Sequence, residues 1–218
     1  MSIKKALLAA SVLAAVAAVS PAAMAADETA GFKAGDILVR GRLLAVLPSI
    51  SSNVSDIYGH VDASNSLEPE IDATYFFTPH VSVEAIGAIT RHHLVDKDSK
   101  AGNVDLGRVT LLPPTVTAQY HFLPDQKFNP YVGAGINYTI FFDAETPSGS
   151  AAKTVQYENH FGTALQIGAD YHIQGNWYAN VDVKHIFLST RAKINGGAII
   201  AAVDVDPTVV GLGVGYKF

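Results

Sequence analysis

Thr208-Val209-Val210-Gly211-Leu212-Gly213-Val214-Gly215-Tyr216-Lys217-Phe218 is an extended segment with two unlike faces. Successive strand side chains point to opposite sides, so Val210, Leu212, Val214, Tyr216 and Phe218 share one face and Gly211, Gly213 and Gly215 the other. The same period of two recurs upstream. Ile71, Ala73, Tyr75 and Phe77 alternate with Glu70, Asp72, Thr74 and Phe76, while Leu165, Ile167, Ala169, Tyr171 and Ile173 alternate with Gln166, Gly168, Asp170 and His172. Eight such segments are predicted: Asp36 to Leu47, Leu67 to Phe77, Val81 to His92, Val109 to Phe122, Pro130 to Phe142, Phe161 to Ile173, Trp177 to Leu188 and Thr208 to Phe218. Most have the length of roughly ten residues that a tilted strand needs to cross a bilayer.

In a water-soluble sandwich the apolar face would be the core; in a membrane barrel it would face lipid. The connections decide between these. Thr78 to His80 and Gln174 to Asn176 are tight turns, whereas Pro48 to Ser66, His93 to Arg108, Asp143 to His160 and Ser189 to Pro207 are long. Short and long connections alternate strictly, although Leu123 to Asn129 is the longest of the short set. That is the habit of outer-membrane barrels, with short periplasmic turns and long extracellular loops. Tyr75, Phe77, Tyr120, Phe122, Tyr171, Trp177 and Tyr216 gather toward the periplasmic strand ends, Tyr138 and Phe142 toward the other, as interfacial girdles do. The predicted fold class is all-β, an eight-stranded antiparallel transmembrane β-barrel. A last strand finishing in Tyr216 and Phe218 resembles the assembly signal of bacterial outer-membrane proteins, which implies the outer-membrane assembly machinery as a partner.

The other end of the chain fits export. Lys4 and Lys5 precede an apolar run from Ala6 to Val19, and Ala23-Met24-Ala25 has the small-x-small cleavage pattern. The run is Ala-rich and shorter than the roughly 20 residues of a spanning helix, so residues 1–25 are read as a secretory signal peptide and 26–218 as the barrel. The whole chain has 15 basic and 20 acidic residues, net −5; removing Lys4 and Lys5 leaves 13 against 20, or −7, which argues against nucleic acid as a partner. With no cysteine, a disulfide framework, a lipid anchor and thiol chemistry are all excluded.

Leu112-Pro113-Pro114-Thr115 with Ala118-Gln119-Tyr120, then Pro130-Tyr131-Val132-Gly133-Ala134-Gly135-Ile136-Asn137-Tyr138-Thr139 and Phe141-Phe142-Asp143, closely resembles the OmpW family. The likeness continues more weakly through Val83-Glu84, Gly168-Ala169-Asp170-Tyr171, Asn176-Trp177 and Gly215-Tyr216-Lys217-Phe218. It implies a Gram-negative outer-membrane barrel with a narrow, partly apolar interior, associated with uptake of small hydrophobic molecules; alkane-importing proteins belong to the wider family. Some members are tryptophan-rich in strand seven, where this chain has Lys184-His185.

If the apolar face meets lipid, its opposite defines the lumen. Arg40, Arg42, Glu70, Asp72, Glu84, Asp182 and Lys184 then point inward near mid-depth, and charges inside so narrow a barrel must pair. Toward the extracellular end the inward positions become Leu44, Val46, Ile86, Ala88, Phe141, Ile186 and Leu188, an apolar cup. The expectation is a hydrophobic pocket above a salt-bridged plug. The competing view is that both layers simply pack a small barrel. Pro113 and Pro114 lack the N–H of a ladder bond and either open the wall sideways or merely end a strand. The function expected is passive uptake of small hydrophobic solutes, with outer-membrane lipid as surroundings, no cofactor and no metal. The alternatives are a structural, adhesive or receptor barrel, a narrow ion-conducting pore, and an enzyme. The enzyme is disfavoured because no nucleophile elbow or metal spacing is found and His92-His93, at a loop entrance, point to opposite faces.

Overall fold

The computed structural model describes residues 31–49, 51–54, 60–63, 65–99, 102–145, 154–197 and 199–218. The predicted signal peptide, 1–25, lies outside the described residues. Eight strands close the wall: β1 (Ile37–Leu47), β4 (Ser66–Phe76), β5 (Val81–Ala88), β8 (Thr115–His121), β9 (Phe128–Glu145), β11 (His160–Gln174), β12 (Trp177–Phe187) and β15 (Thr208–Lys217). Every neighbouring pair is antiparallel, and β15 pairs with β1 to seal the ring. Closure leaves no open edge within the membrane, which is what a spanning sheet requires where water cannot satisfy its backbone.

The two faces divide as the period of two requires. Leu43, Ile71, Leu165, Ile167, Leu212 and Val214 stand outward and more than half exposed, whereas the chain neighbours Arg42, Glu70, Asp72 and Gln166 are buried inside. Such a wall suits hydrocarbon. At the periplasmic rim rings pack edge to face in pairs, Tyr75 on Phe77, Tyr120 on Phe122, Trp177 on Tyr216 and Tyr216 on Phe218; Tyr138 meets Phe161 at the other rim. No helix among the described residues is long and apolar enough to cross a membrane.

The structure corrects the long loops. Much of each is strand: β2 (Ser51–Val54) and β3 (His60–Ala63) in the first, β6 (Thr90–Ser99) and β7 (Gly102–Leu112) in the second, β10 (Val155–Tyr157) in the third, β13 (Ser189–Ile194) and β14 (Ile199–Asp204) in the fourth. They form a four-stranded sheet, β10-β13-β14-β2, and extend the wall as β9-β7-β6-β3. His92 and His93 therefore sit within a strand. The ladder outlasts the membrane because backbone pairing does not depend on lipid, while the amphipathic alternation that betrays a spanning strand does. Predicted strands three and four are each interrupted, at Ile89 and at Pro113-Pro114. The hairpin nevertheless keeps one register across the break, from Ile86 opposite Thr115 to Thr90 opposite Leu111.

Candidate functional site

The interior is layered. At mid-depth, Arg40 and Arg42 project from β1 among carboxylates of the adjacent β4, of β5 and of β11. Arg40 Nε meets Asp72 Oδ1 at 2.8 Å, its Nη2 reaches Glu84 Oε1 and Thr74 Oγ1 at 2.7 Å each, and its Nη1 lies 3.2 Å from Asp170 Oδ1. Arg42 donates from Nε to Glu70 Oε1 at 2.6 Å and from Nη2 to Glu84 Oε1 at 2.8 Å, with Asp72 Oδ2 at 3.1 Å. Glu84 is the hub. Its second oxygen accepts from Gln166 Nε2 at 2.8 Å and from Thr117 Oγ1 and Gln119 Nε2 at 3.0 Å each. A planar guanidinium with five donors suits so many-sided an engagement.

This belt contains all seven charges placed inward from the sequence, and Asp170 as an eighth. Alternation had set Asp170 on the inward face of its strand, but its tie to Arg40, 130 positions away, depends on barrel closure. Tyr131, Asn180, Gln119, Gln166, Thr74 and Thr117, polar groups without formal charge, complete the network. Room for the arginines comes from β15: Gly215 stands opposite Arg40 and Gly213 opposite Arg42.

Above the belt lie two apolar groups. Leu44, Val46, Ala88 and Val209 form one; Ala164, Ile186 and Leu188, with Val205 packed against them, form the other. Ile86 is buried on the same inward face. Phe141, placed in the cup from the sequence, belongs to neither cluster. Its strand continues to Glu145 through a bulge at Asp143, and the half-buried Phe141 ring stacks on Tyr157 at 5.5 Å beside the extracellular extension.

Below the belt, the segment entering β1 folds under the barrel. Phe32 is buried with Leu38, Phe76 and Tyr178, its ring stacked on Phe76 at 4.2 Å and on Tyr178 at 4.9 Å. Lys217 Nζ donates to the Gly31 carbonyl at 2.5 Å and lies 3.7 Å from Asp36, while Phe32 N–H donates to Pro124. No period marks this floor in the sequence.

Beside it Ser82, His121 and Asn129 line up in a way that invites comparison with a hydrolytic triad. Ser82 Oγ is 3.1 Å from His121 Nε2, and Asn129 Nδ2 is 2.9 Å from His121 Nδ1. The protons run the wrong way. Asn129 Oδ1 accepts from Leu123 N–H at 3.2 Å, which turns its NH₂ toward Nδ1. The imidazole hydrogen then belongs on Nε2, so the ring cannot serve Ser82 as a base. Among the described residues no group of three potential ligands could hold a metal ion.

Beside the apolar layer the strand ladder is interrupted. On the β9 side, Tyr138 N–H donates to Pro114 O at 3.0 Å, and Asn137 Nδ2 donates to Pro113 O at 3.2 Å. On the other side, no paired residues stand between Ile86–Thr115 and Thr90–Leu111. Ala88, inside the barrel, and Ile89, 54% exposed outside it, occupy that gap. Farther out, Lys193 bonds Glu158 at 2.8 Å and holds its carboxyl below the usual range; the Gly107 N–H and then His93 do the same for Asp105.

A closed eight-stranded ring with an apolar exterior and an ion-paired interior defines a transmembrane β-barrel of the Gram-negative outer membrane. The chain belongs to the OmpW family, whose model matches residues 33–218. It is 39% identical over 193 residues to the outer-membrane protein y4mB of Sinorhizobium fredii, covering 87% of this chain and 82% of that one. It is 26% identical over 162 residues to the dibenzothiophene metabolism operon protein PahQ of Pseudomonas aeruginosa, 73% of this chain and 75% of that. The crystal structure of outer membrane protein OprG from Pseudomonas aeruginosa superposes with a TM-score of 0.81 at 31% identity, covering 88% and 99% of the two chains.

Proposed function

We propose that the protein is a passive, non-enzymatic conduit for small hydrophobic molecules, which enter the apolar layer from outside and leave sideways into the membrane between β5 and β8. The observation that carries this reading is the coincidence of two features at one depth: apolar clusters floored by a densely paired ionic belt, and an unpaired stretch of wall where Gly87 and Ala88 stand opposite Pro114 and Pro113. A hydrophobic solute stopped by the belt gains most by moving directly into hydrocarbon. The extensive pairing of the belt speaks against an open ion path through it. The PahQ relative, named for an operon of dibenzothiophene metabolism, is in keeping with an aromatic or aliphatic hydrophobic cargo. Tyr216 and Phe218, at the seam-forming strand, are proposed as the residues the outer-membrane assembly machinery reads.

Pro113→Ala with Pro114→Ala, which restores two ladder donors, is expected to slow uptake of naphthalene or octane by cells several-fold at equal surface expression. Unchanged uptake would rule out the sideways route. Ile86→Asp with Leu188→Asp, which puts charge into the apolar layer, is expected to cut uptake by an order of magnitude or more while the barrel keeps its folded migration on a cold detergent gel. Uptake indifferent to both pairs would instead favour a receptor or scaffold role for the extracellular sheet β10-β13-β14-β2.

A further inference from the structure

Lys184 and Asp182 lie where the ionic belt meets the apolar layer, and Asp182 Oδ1, 3.9 Å from Arg42 Nη1, shares with Asp72 Oδ2 the lack of a hydrogen-bond donor. Lys184 is 2% exposed, yet among the described residues its ammonium makes no hydrogen bond; its nearest ionic partner is Asp182 Oδ1 at 3.6 Å. That same oxygen accepts no hydrogen bond, while its twin, Oδ2, accepts from Gln166 at 2.7 Å and from Tyr131 at 3.3 Å. The donors of the Lys184 ammonium and one acceptor of Asp182 are thus left without hydrogen bonds, side by side, below the apolar clusters. Lys184 stands in register with Val209, which pairs with Val46, and both valines belong to the first apolar cluster. Ile186, one inward position above it, belongs to the second apolar cluster.

Buried polar groups left unsatisfied are costly, and a site holding them favours a ligand that completes them. The missing group must accept from an ammonium and donate to a carboxylate, and a hydroxyl does both through one oxygen. Charge narrows the choice further. The groups at the site are one of each sign, so Asp182 repels an anionic head and Lys184 a cationic one, and a neutral head meets neither penalty. We infer that the chamber selects neutral hydrophobic molecules bearing a hydroxyl, alkanols or phenols, over plain hydrocarbons. The hydroxyl lies between Lys184 Nζ and Asp182 Oδ1, and the apolar body lies among Leu44, Val46, Val209 and Ile186. This selectivity rests on the uptake reading above and names its cargo.

The test is a matched series, octane, octan-1-ol, octanoate and octylamine, titrated into the folded protein in phospholipid nanodiscs and followed by chemical-shift changes, with affinities referred to ligand dissolved in the lipid. Octan-1-ol is expected to bind about tenfold more tightly than octane, the worth of one charge-assisted hydrogen bond, and octanoate and octylamine more weakly than octan-1-ol. In Lys184→Met the ratio of octan-1-ol to octane should fall to about one. Equal binding of octane and octan-1-ol by the native chain overturns the inference, as does preference for either charged member, and neither result depends on the variant folding. Cell uptake of octane and octan-1-ol, measured alongside, separates the two levels. Uptake of both without preference removes only the hydroxyl selectivity; uptake of neither removes the conduit reading and the selectivity with it.

Discussion

Arg40→Met is expected to abolish stable folding of the barrel. Arg40 is fully buried and touches Asp72, Glu84, Asp170 and Thr74, so its loss takes Asp170's ion pair and leaves Asp72 and Glu84 to lean on Arg42, in a space already richer in acid than in base. Removing one partner from a buried ion pair costs about 3–5 kcal/mol, and here one side chain serves several pairs. Set against a typical total stability of about 5–15 kcal/mol, that loss takes most of the margin. Urea unfolding in phospholipid vesicles and the folded band on a cold detergent gel measure it; an unchanged midpoint would refute the structural role given to the belt. Arg40→Lys should recover only part, because one ammonium lacks the fork that spans these acceptors. Adding Asp72→Asn and Asp170→Asn to Arg40→Met should restore more than it costs, as coupled sites do.

The glycines of β15 carry the second large effect. A Cβ at Gly215 would stand 2.6 Å from Arg40 Cγ and 3.0 Å from Leu38 Cδ1; one at Gly213 would stand 2.6 Å from Arg42 Cγ, 2.8 Å from Arg42 Cα, and against the Gly41 carbonyl. These neighbours are the roots of the arginines and their backbone, which cannot swing aside. Gly213→Ala with Gly215→Ala should therefore lower stability by about 1–3 kcal/mol per site, as overpacking does, and push the guanidinium groups out of line with their acceptors. Gly41→Ala is the control: nothing lies within 4 Å of a Cβ there, so its unfolding midpoint should hold or rise slightly. Equal effects at all three positions would mean that backbone preference rather than space governs this strand.

What could be read from the chain follows from where its two faces meet different surroundings. Between the aromatic rims one face meets hydrocarbon and the other the lumen, and there the alternation of Ile71 with Asp72 or Ile167 with Gln166 located eight strands and their inward side chains. Outside the membrane that contrast fades, so β13 and β14 went unseen, and β6 and β7 were caught only where they adjoin the wall, at Thr90 to His92 and Val109 to Leu112. Phe32 left no trace because its packing depends on tertiary folding beneath the barrel rather than on any period. The alternation placed Gly213 and Gly215 inward but could not reveal which side chains needed the space, because that depends on the register with β1. Phe141 was assigned to the cup by continuing the parity of a strand that in fact rises past it.

The floor has a bearing on how the ring is sealed. Gly31, Phe32 and Asp36 precede the first wall strand and Lys217 ends the last, yet they are fastened to one another across the β1–β15 junction. The segment that enters the first wall strand and the end of the last thus form a latch over the β1–β15 seam, which joins strands far apart in sequence. A ring whose closing joint carries its own clasp resists peeling from its weakest line: parting β15 from β1 at the periplasmic end means first drawing an aromatic side chain out of a dry socket.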